Sequence, residues 1–474
     1  MNFRKGALVT LIGQWGRYAL NLASLVVLSR MLGPSSVGLI AMALVVTSLA
    51  NLLADFGLSL AAIQAKSLDH TQRANLFWLN TAIGVLAAAV VVGLAPTIAA
   101  FYRDDRMVAI LFWLAGPLIL NGISVQSRVQ LTRRSRFTFL AWVDFLSALA
   151  GFSLAVCVAL LGFDYWSLVA QQVVVAATTA VLLLTRGGRL PLKPGRASMR
   201  TFITFGANNF GLQLLNFAAS NADTVALGRF ATPSAVGLYS RAFQIVLLPI
   251  QQVLSPLTRV MLPRLAKVVD DSEFNAILQR LQRVASVVSI GALSVLVATA
   301  PALIALVLGP SWEASAPYVR VLCIASLFQT LAYFYYWACL SRARTGLLFL
   351  SELPGRLILL ALIYPAAQTG VLAVCVLVAF QQVIIWCCGT FWAARRIGVQ
   401  PLKLIQAGLP ALAVYVIAAV VTWIADSIYW TTANPAPRFC WGLALWMACV
   451  GCSLAIPAVR RAFITAAKGV LGRV

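Results

Sequence analysis

ALVTLIGQWGRYALNLASLVVL, residues 7–28, is apolar except along one line of positions: Thr10, Gln14, Arg17, Asn21 and Ser24. Alternating steps of four and three residues hold these side chains on one face of a helix, within roughly 80° of arc. The run is long enough to cross a bilayer, and an arginine near its middle costs about 2.5–3.5 kcal/mol on insertion scales. The polar face is therefore expected to meet protein or water, not lipid. Farther along, Asn209, Gln213, Asn216, Ser220 and Asp223 form a second such line, each at the same interval from its counterpart. Gln14 and Gln213 match in identity.

Composition sets the class around these two helices. Of 474 residues, 61% are hydrophobic and only 10% are charged, with a mean hydropathy of +0.90, whereas soluble chains carry about 25% charge. Apolar runs recur along nearly the whole chain, and their lengths predict about fourteen transmembrane helices. The expected fold class is an all-α polytopic membrane protein. A membrane β-barrel would show short alternating segments instead. The N-terminus lacks a short apolar region followed by a small-residue cleavage site, so the first span is expected to be retained.

A net charge of +23 invites a nucleic-acid reading, but its placement speaks against one. Basic residues gather in every second loop, as in Arg128/Arg133/Arg134/Arg136, Arg186–Arg200, Arg259–Arg283 and Arg460–Arg473. The intervening loops hold only Arg30, Arg103, Arg106, Arg229 and Arg438. This is the positive-inside pattern, and it predicts cytoplasmic N- and C-termini. Nine cysteines lie mostly in apolar runs without metal-type spacing, and the single histidine, His70, stands in a basic loop. No cofactor or metal is expected. Asp104–Asp105 reads as a charge-balanced turn between Arg103 and Arg106, and no Gly-rich phosphate loop is present, so no enzyme chemistry is expected.

The chain repeats itself. RMLGPSSVGL at Arg30–Leu39 aligns with RFATPSAVGL at Arg229–Leu238, Arg134/Arg136/Asp144 with Arg342/Arg344/Glu352, and Gln171–Gln172–Val173 with Gln381–Gln382–Val383. Two pseudo-symmetric six-helix lobes, 1–185 and 201–394, are predicted, joined by a basic linker at 186–200. Residues 395–474 add two helices and a basic tail. Six spans per copy is an even number, so the copies share one orientation, a transporter architecture with its site between the repeats near the midplane. The amphipathic stretch 264–283 reads as a helix lying at the membrane interface.

The stripes have two readings. They either hydrogen-bond helices together or line a hydrated cavity, and the five-residue length of each favours the cavity. The candidate substrate-binding residues are Arg17, Gln14, Asn21, Asn209, Gln213, Asn216 and Arg241. Arg241 could equally snorkel to the interface, and Arg17 is expected to face Asn216. Candidate ion-coupling residues are Asp223, Asp55 and Asp144; Asp55 also suits an interfacial charge and Asp223 a structural pair. Glu352 and Arg356, four apart, read as an internal ion pair. Asp144 lacks the corresponding partner, because its repeat-related position is Ala148.

LGPSSVGLIAMALVVTSLANLLADFGLSLAAIQ (Leu32–Gln64), with FWLN at Phe77–Asn80, resembles the polysaccharide transport family. These are the Wzx-type flippases of lipid-linked oligosaccharides, within the multidrug/oligosaccharidyl-lipid/polysaccharide exporter superfamily. Thr224–Lys267, closing on TRVMLPRLAK, is similar to the matching part of the second half. The resemblance implies a multi-pass protein of the bacterial inner membrane that moves an undecaprenyl-pyrophosphate-linked repeat unit outward, with Arg17 in a cationic cavity. It brings a lipid-linked oligosaccharide as substrate, membrane lipids as surroundings, and polysaccharide polymerase and chain-length proteins as partners of a monomer. A multidrug–cation antiporter of the same superfamily and a membrane polymerase or ligase are the competing readings. A cavity led by an arginine speaks against the first, and the lack of a large outer loop against the second.

Overall fold

The computed structural model describes the chain except residues 1–2, 56, 66, 187–193, 196–198, 430–433, 458, 461–462 and 465–474. For residues 3–14, 200–201, 203, 205–209, 212 and 429 it describes the backbone alone. Most of the basic linker expected at 186–200, and Arg461, Lys468 and Arg473 of the expected tail, lie outside the described residues. Two compact units result, Met1–Gly237 and Leu238–Val474.

The first unit holds α1 (Phe3–Met31), α2 (Pro34–Asp55), α3 (Leu58–Gln64), α4 (His70–Tyr102), α5 (Arg106–Arg133), α6 (Phe137–Leu160), α7 (Trp166–Arg186) and α8 (Arg200–Phe230). Next, α9 (Pro233–Leu265) starts at the boundary, and α10 (Asp271–Ala285), α11 (Gly291–Val307), α12 (Ala316–Ser341), α13 (Thr345–Thr369) and α14 (Val371–Cys387) follow. The last two helices are α15 (Pro401–Tyr429) and α16 (Pro435–Ser453). The described residues contain no strand. Eleven helical stretches among the described residues are long and apolar enough to cross a membrane. Outside that set are α1 and α8, which carry the polar stripes, and α16, which opens Pro435-Ala-Pro-Arg438. The chain is an all-α polytopic membrane protein.

Within the first unit, α8 packs on α2 and α3, and the compact division falls near the start of α9. The duplicated Pro-Ser-x-Val-Gly segments start α2 and α9, and there the two copies touch. A Cβ added to Gly38 would stand 1.7 Å from the Pro233 carbonyl oxygen, and one on Gly237 would stand 1.9 Å from that of Pro34. The reciprocal crossing has room for hydrogen alone at both positions. The repeat is visible again inside each unit. A Cβ on Gly151 of α6 would lie 3.0 Å from the Gln171 carbonyl of α7, and one on Gly355 of α13 would lie 2.9 Å from the Gln381 carbonyl of α14.

Short α3 starts at Gly57, which has φ +70°, and ends against a cation: Arg133 Nη1 donates to the carbonyls of Ala62 and Ala65 at 2.7 and 2.6 Å. Positive charge at a helix C-terminus satisfies carbonyls that lack a partner within the helix. At the turn before α5, Arg106 bonds Asp104 at 2.7 Å. That bond holds the Asp104 carboxyl below its ordinary range against the opposing effect of partial burial, as the charge-balanced turn requires.

In the second unit, α10 corrects the expectation of a helix lying free on the membrane surface. It begins where Asp270 accepts from the Glu273 amide at 2.8 Å, and it continues through the wide turn Ser286–Ile290 into α11. Its apolar face, Phe274, Leu278 and Ala285, is buried with Leu254, Leu265, Trp337 and Leu404. The amphipathic period is real, but protein covers the apolar side. Asn275 ties α10 to the turn before α15, donating to the carbonyls of Asp271 (2.8 Å) and Gly398 (2.9 Å) and accepting from the Gln400 amide (3.0 Å). Asn275→Ala removes three part-buried hydrogen bonds to the backbone and is expected to cost about 2 kcal/mol. The measurement is thermal unfolding in detergent, where an unchanged melting temperature would refute the clamp.

The last two helices pack on α11. Tyr415 stacks on Trp446 with ring centroids 5.7 Å apart and donates to the Val287 carbonyl at 3.0 Å. Asp426 accepts two bonds from Arg438, at 2.6 and 2.8 Å, with Arg320 4.0 Å away. These arginines are thus structural charges of the second unit.

Candidate functional site

A cavity of about 500 Å³ opens within the first unit, walled by α1, α2, α5, α6 and α7. Arg17, Asn21 and Ser24 reach it from α1 because their spacing keeps them on one face. Thr47 and Asn51, one turn apart, enter from α2, Asn121 and Arg128 from α5, Asp144 and Ser147 from α6, and Gln171, Gln172 and Thr179 from α7. Ala148 and Ala176 face the same space and leave it open.

The polar groups form a connected lining. Asp144 bridges two cations: Oδ2 accepts from Arg17 Nη1 at 3.2 Å and Oδ1 from Arg128 Nη2 at 2.8 Å. Asn121 donates to Asn51 Oδ1 at 3.1 Å, and Asn51 donates to the Thr47 carbonyl at 3.0 Å. Gln171 donates to Ser24 Oγ, and Thr179 to Ser147 Oγ, both at 2.9 Å. Two guanidinium groups against one carboxylate leave the wall with one uncompensated positive charge. Arg17 keeps 51% of its side-chain surface accessible and Arg128 38%, so both can still receive an anion from the cavity. Amides and hydroxyls around them offer donors and acceptors in the mixture that sugar hydroxyls use.

Three sequence candidates, Arg17, Asn21 and Asp144, meet in this wall. Asp144 has no arginine one turn on along its own helix, as the sequence shows; its partners come from α1 and α5, beyond the reach of helix spacing. Arg128 reads from the sequence as one of the loop charges. The helix runs to Arg133, which places Arg128 inside the bundle. Asn51 and the Gln171–Gln172 pair were visible in the sequence as a polar position and a repeat marker; helical spacing to Thr179 was the available signal of a shared face.

The other candidates lie elsewhere. Gln14 and Asn209 have side chains outside the described residues. On α8, Gln213 is half-buried and Asn216 exposed; Arg17 donates to Asp144. Asp223 is buried and accepts from the Thr224 amide at 2.7 Å. Asp55, at the end of α2, accepts from Ser59 Oγ in the turn to α3. Arg241 is buried in the second unit and donates to Gln244 at 2.8 Å. Glu352 and Arg356 pair at 2.5 Å, as four-residue spacing requires. No group of three His, Cys, Asp or Glu among the described residues is placed to hold a metal ion.

Fold and cavity together define a multi-pass helical bundle with a polar, cationic chamber. Its backbone is similar to that of a solved "Lipid II flippase MurJ, inward closed conformation", at a TM-score of 0.73 over 94% of this chain and 99% of that one, with 10% identity. That likeness is one of fold. Residues 27–317 match the sequence model of the family described as polysaccharide biosynthesis protein, and the chain belongs to that family. Lipopolysaccharide biosynthesis protein WzxC of Escherichia coli (strain K12) is 26% identical over 66% of this chain and 64% of its own length. Teichuronic acid biosynthesis protein TuaB of Bacillus subtilis (strain 168) is 27% identical over 68% of each chain. Succinoglycan biosynthesis transport protein ExoT of Rhizobium meliloti (strain 1021) is 28% identical over 56% of this chain and 54% of its own. The match thus spans somewhat under two thirds of the WzxC length and about half that of ExoT.

Proposed function

We propose that the protein is a flippase for undecaprenyl-pyrophosphate-linked oligosaccharide repeat units, working across the bacterial inner membrane in exopolysaccharide, capsule or O-antigen assembly. The observation that carries this reading is the cavity wall in which Arg17 and Arg128 share one carboxylate and face a ring of amides and hydroxyls. A diphosphate offers the oxygens that guanidinium forks bind best, and the neighbouring amides and hydroxyls suit a glycan. The headgroup sits in the cavity while the polyprenyl tail stays in lipid, and alternating access carries it from the cytoplasmic to the outer leaflet. Moving about two negative charges outward across an inside-negative potential releases roughly 4–5 kcal/mol per 100 mV. A chamber with excess positive charge disfavours cationic drugs, which sets aside the antiporter.

The test is complementation of a strain lacking its lipid-linked oligosaccharide flippase. Return of the surface polysaccharide, with loss of the accumulated lipid-linked precursor, is the expected result. Expression in the membrane without either effect, across strains that differ in repeat unit, would refute the assignment.

A further inference from the structure

The two repeats treat the same carboxylate differently. In the second copy, Glu352 is neutralised on its own helix by Arg356, four residues on, at 2.5 Å. In the first copy the position of that arginine is Ala148. Asp144 instead gives one oxygen to α1 and the other to α5, at 3.2 and 2.8 Å, and keeps a quarter of its side-chain surface open to the cavity. The carboxylate therefore places two oxygens between two guanidinium groups, the arrangement in which a phosphate group would sit. Ion pairs this open to water are held weakly and exchange partners readily. Arg128 also stands within reach of the chamber from a helix other than that of Arg17, so whatever occupies both cations also ties α1 to α5.

Resting on the reading of the cavity as a diphosphate site, we propose that Asp144 is a resident competitor for that anion. In the empty cavity it holds Arg17 and Arg128 together. The substrate diphosphate displaces it from both, and its return to the arginines helps expel the headgroup on the far side. Asp144 is then a positioning residue whose charge opposes binding and favours release. A purely structural carboxylate at this place would do the reverse, since its loss would disorganise the arginines and weaken anion binding.

The experiment titrates inorganic pyrophosphate onto the full-length protein in lipid nanodiscs. Asp144→Asn, which keeps shape and removes charge, is expected to bind pyrophosphate roughly three- to tenfold more tightly than wild type, the summed worth of two exposed ion pairs. Asp144→Glu keeps the charge and is expected to stay within about twofold of wild type. Equal or weaker binding by Asp144→Asn, while wild type binds, overturns the competitor role and leaves the cavity assignment standing. Failure of pyrophosphate to bind either protein removes the cavity assignment and the inference with it. A second readout needs no stable variant. Pyrophosphate added to wild type is expected to shift a carboxylate band in difference infrared spectra as Asp144 loses its two arginines, and unchanged carboxylate bands at saturating pyrophosphate overturn the proposal.

Discussion

Arg17→Ala is expected to weaken pyrophosphate binding by roughly ten- to a hundredfold, since hydrogen bonds to charged groups are worth about 1.5–3 kcal/mol each. The same variant is expected to fail to restore surface polysaccharide in a flippase-deficient strain. The physical reason lies in the count of charges. With Arg17 gone, Asp144 and Arg128 pair one to one and the wall loses its single positive excess. Arg128→Ala produces the same neutral wall from the opposite helix and is expected to have an effect of the same order. Because both arginines grip one anion, the double variant should cost less than the two single losses added together. Arg17→Lys keeps the charge but loses the planar fork, and should fall between wild type and alanine. Binding within twofold of wild type in Arg17→Ala, in protein with an unchanged melting temperature, would exclude Arg17 from the site.

The second large effect concerns the crossing of α2 and α9. Gly38→Val is expected to destabilise the protein by about 3 kcal/mol or more, because even its first added carbon would stand 1.7 Å from the Pro233 carbonyl oxygen and 2.7 Å from the Gly237 amide nitrogen. These are backbone atoms of helix starts, which cannot rotate away as a side-chain tip can. Gly237→Val meets the Pro34 carbonyl in the same way and should match it. Gly33→Ala is the control: an added Cβ there meets nothing within 4 Å, and a change under about 0.5 kcal/mol is expected. Thermal unfolding monitored by size-exclusion chromatography in detergent reads all three. Equal melting temperatures for Gly38→Val and Gly33→Ala would show that the crossing is not close-packed.

The wall of the cavity marks how far one-dimensional reading reaches. Periodicity found the α1 stripe, because a helix converts spacing into direction without help from the rest of the fold. It also paired Glu352 with Arg356, a contact made inside one helix. It misplaced Arg128, since hydropathy ends a span at the first charge while the backbone continues helical to Arg133. It could not name the partners of Asp144, since its cations stand 127 and 16 residues away. The basic run at 264–283 shows the same limit: amphipathicity marks which side of α10 is apolar but not whether lipid or protein covers it.

Hydropathy and helical spacing were therefore sufficient for the membrane class and for the presence of a polar face on α1. Those are properties of composition and local spacing. The fold alone settled which charges meet across the helices of the first unit and that Arg241 is buried. Each of those outcomes depends on distances between helices, and in a bundle whose surfaces are mostly apolar many packings satisfy the same hydropathy. Close contacts such as Gly38 with Gly237, and ion pairs such as Asp144 with Arg17 and Arg128, select one of them.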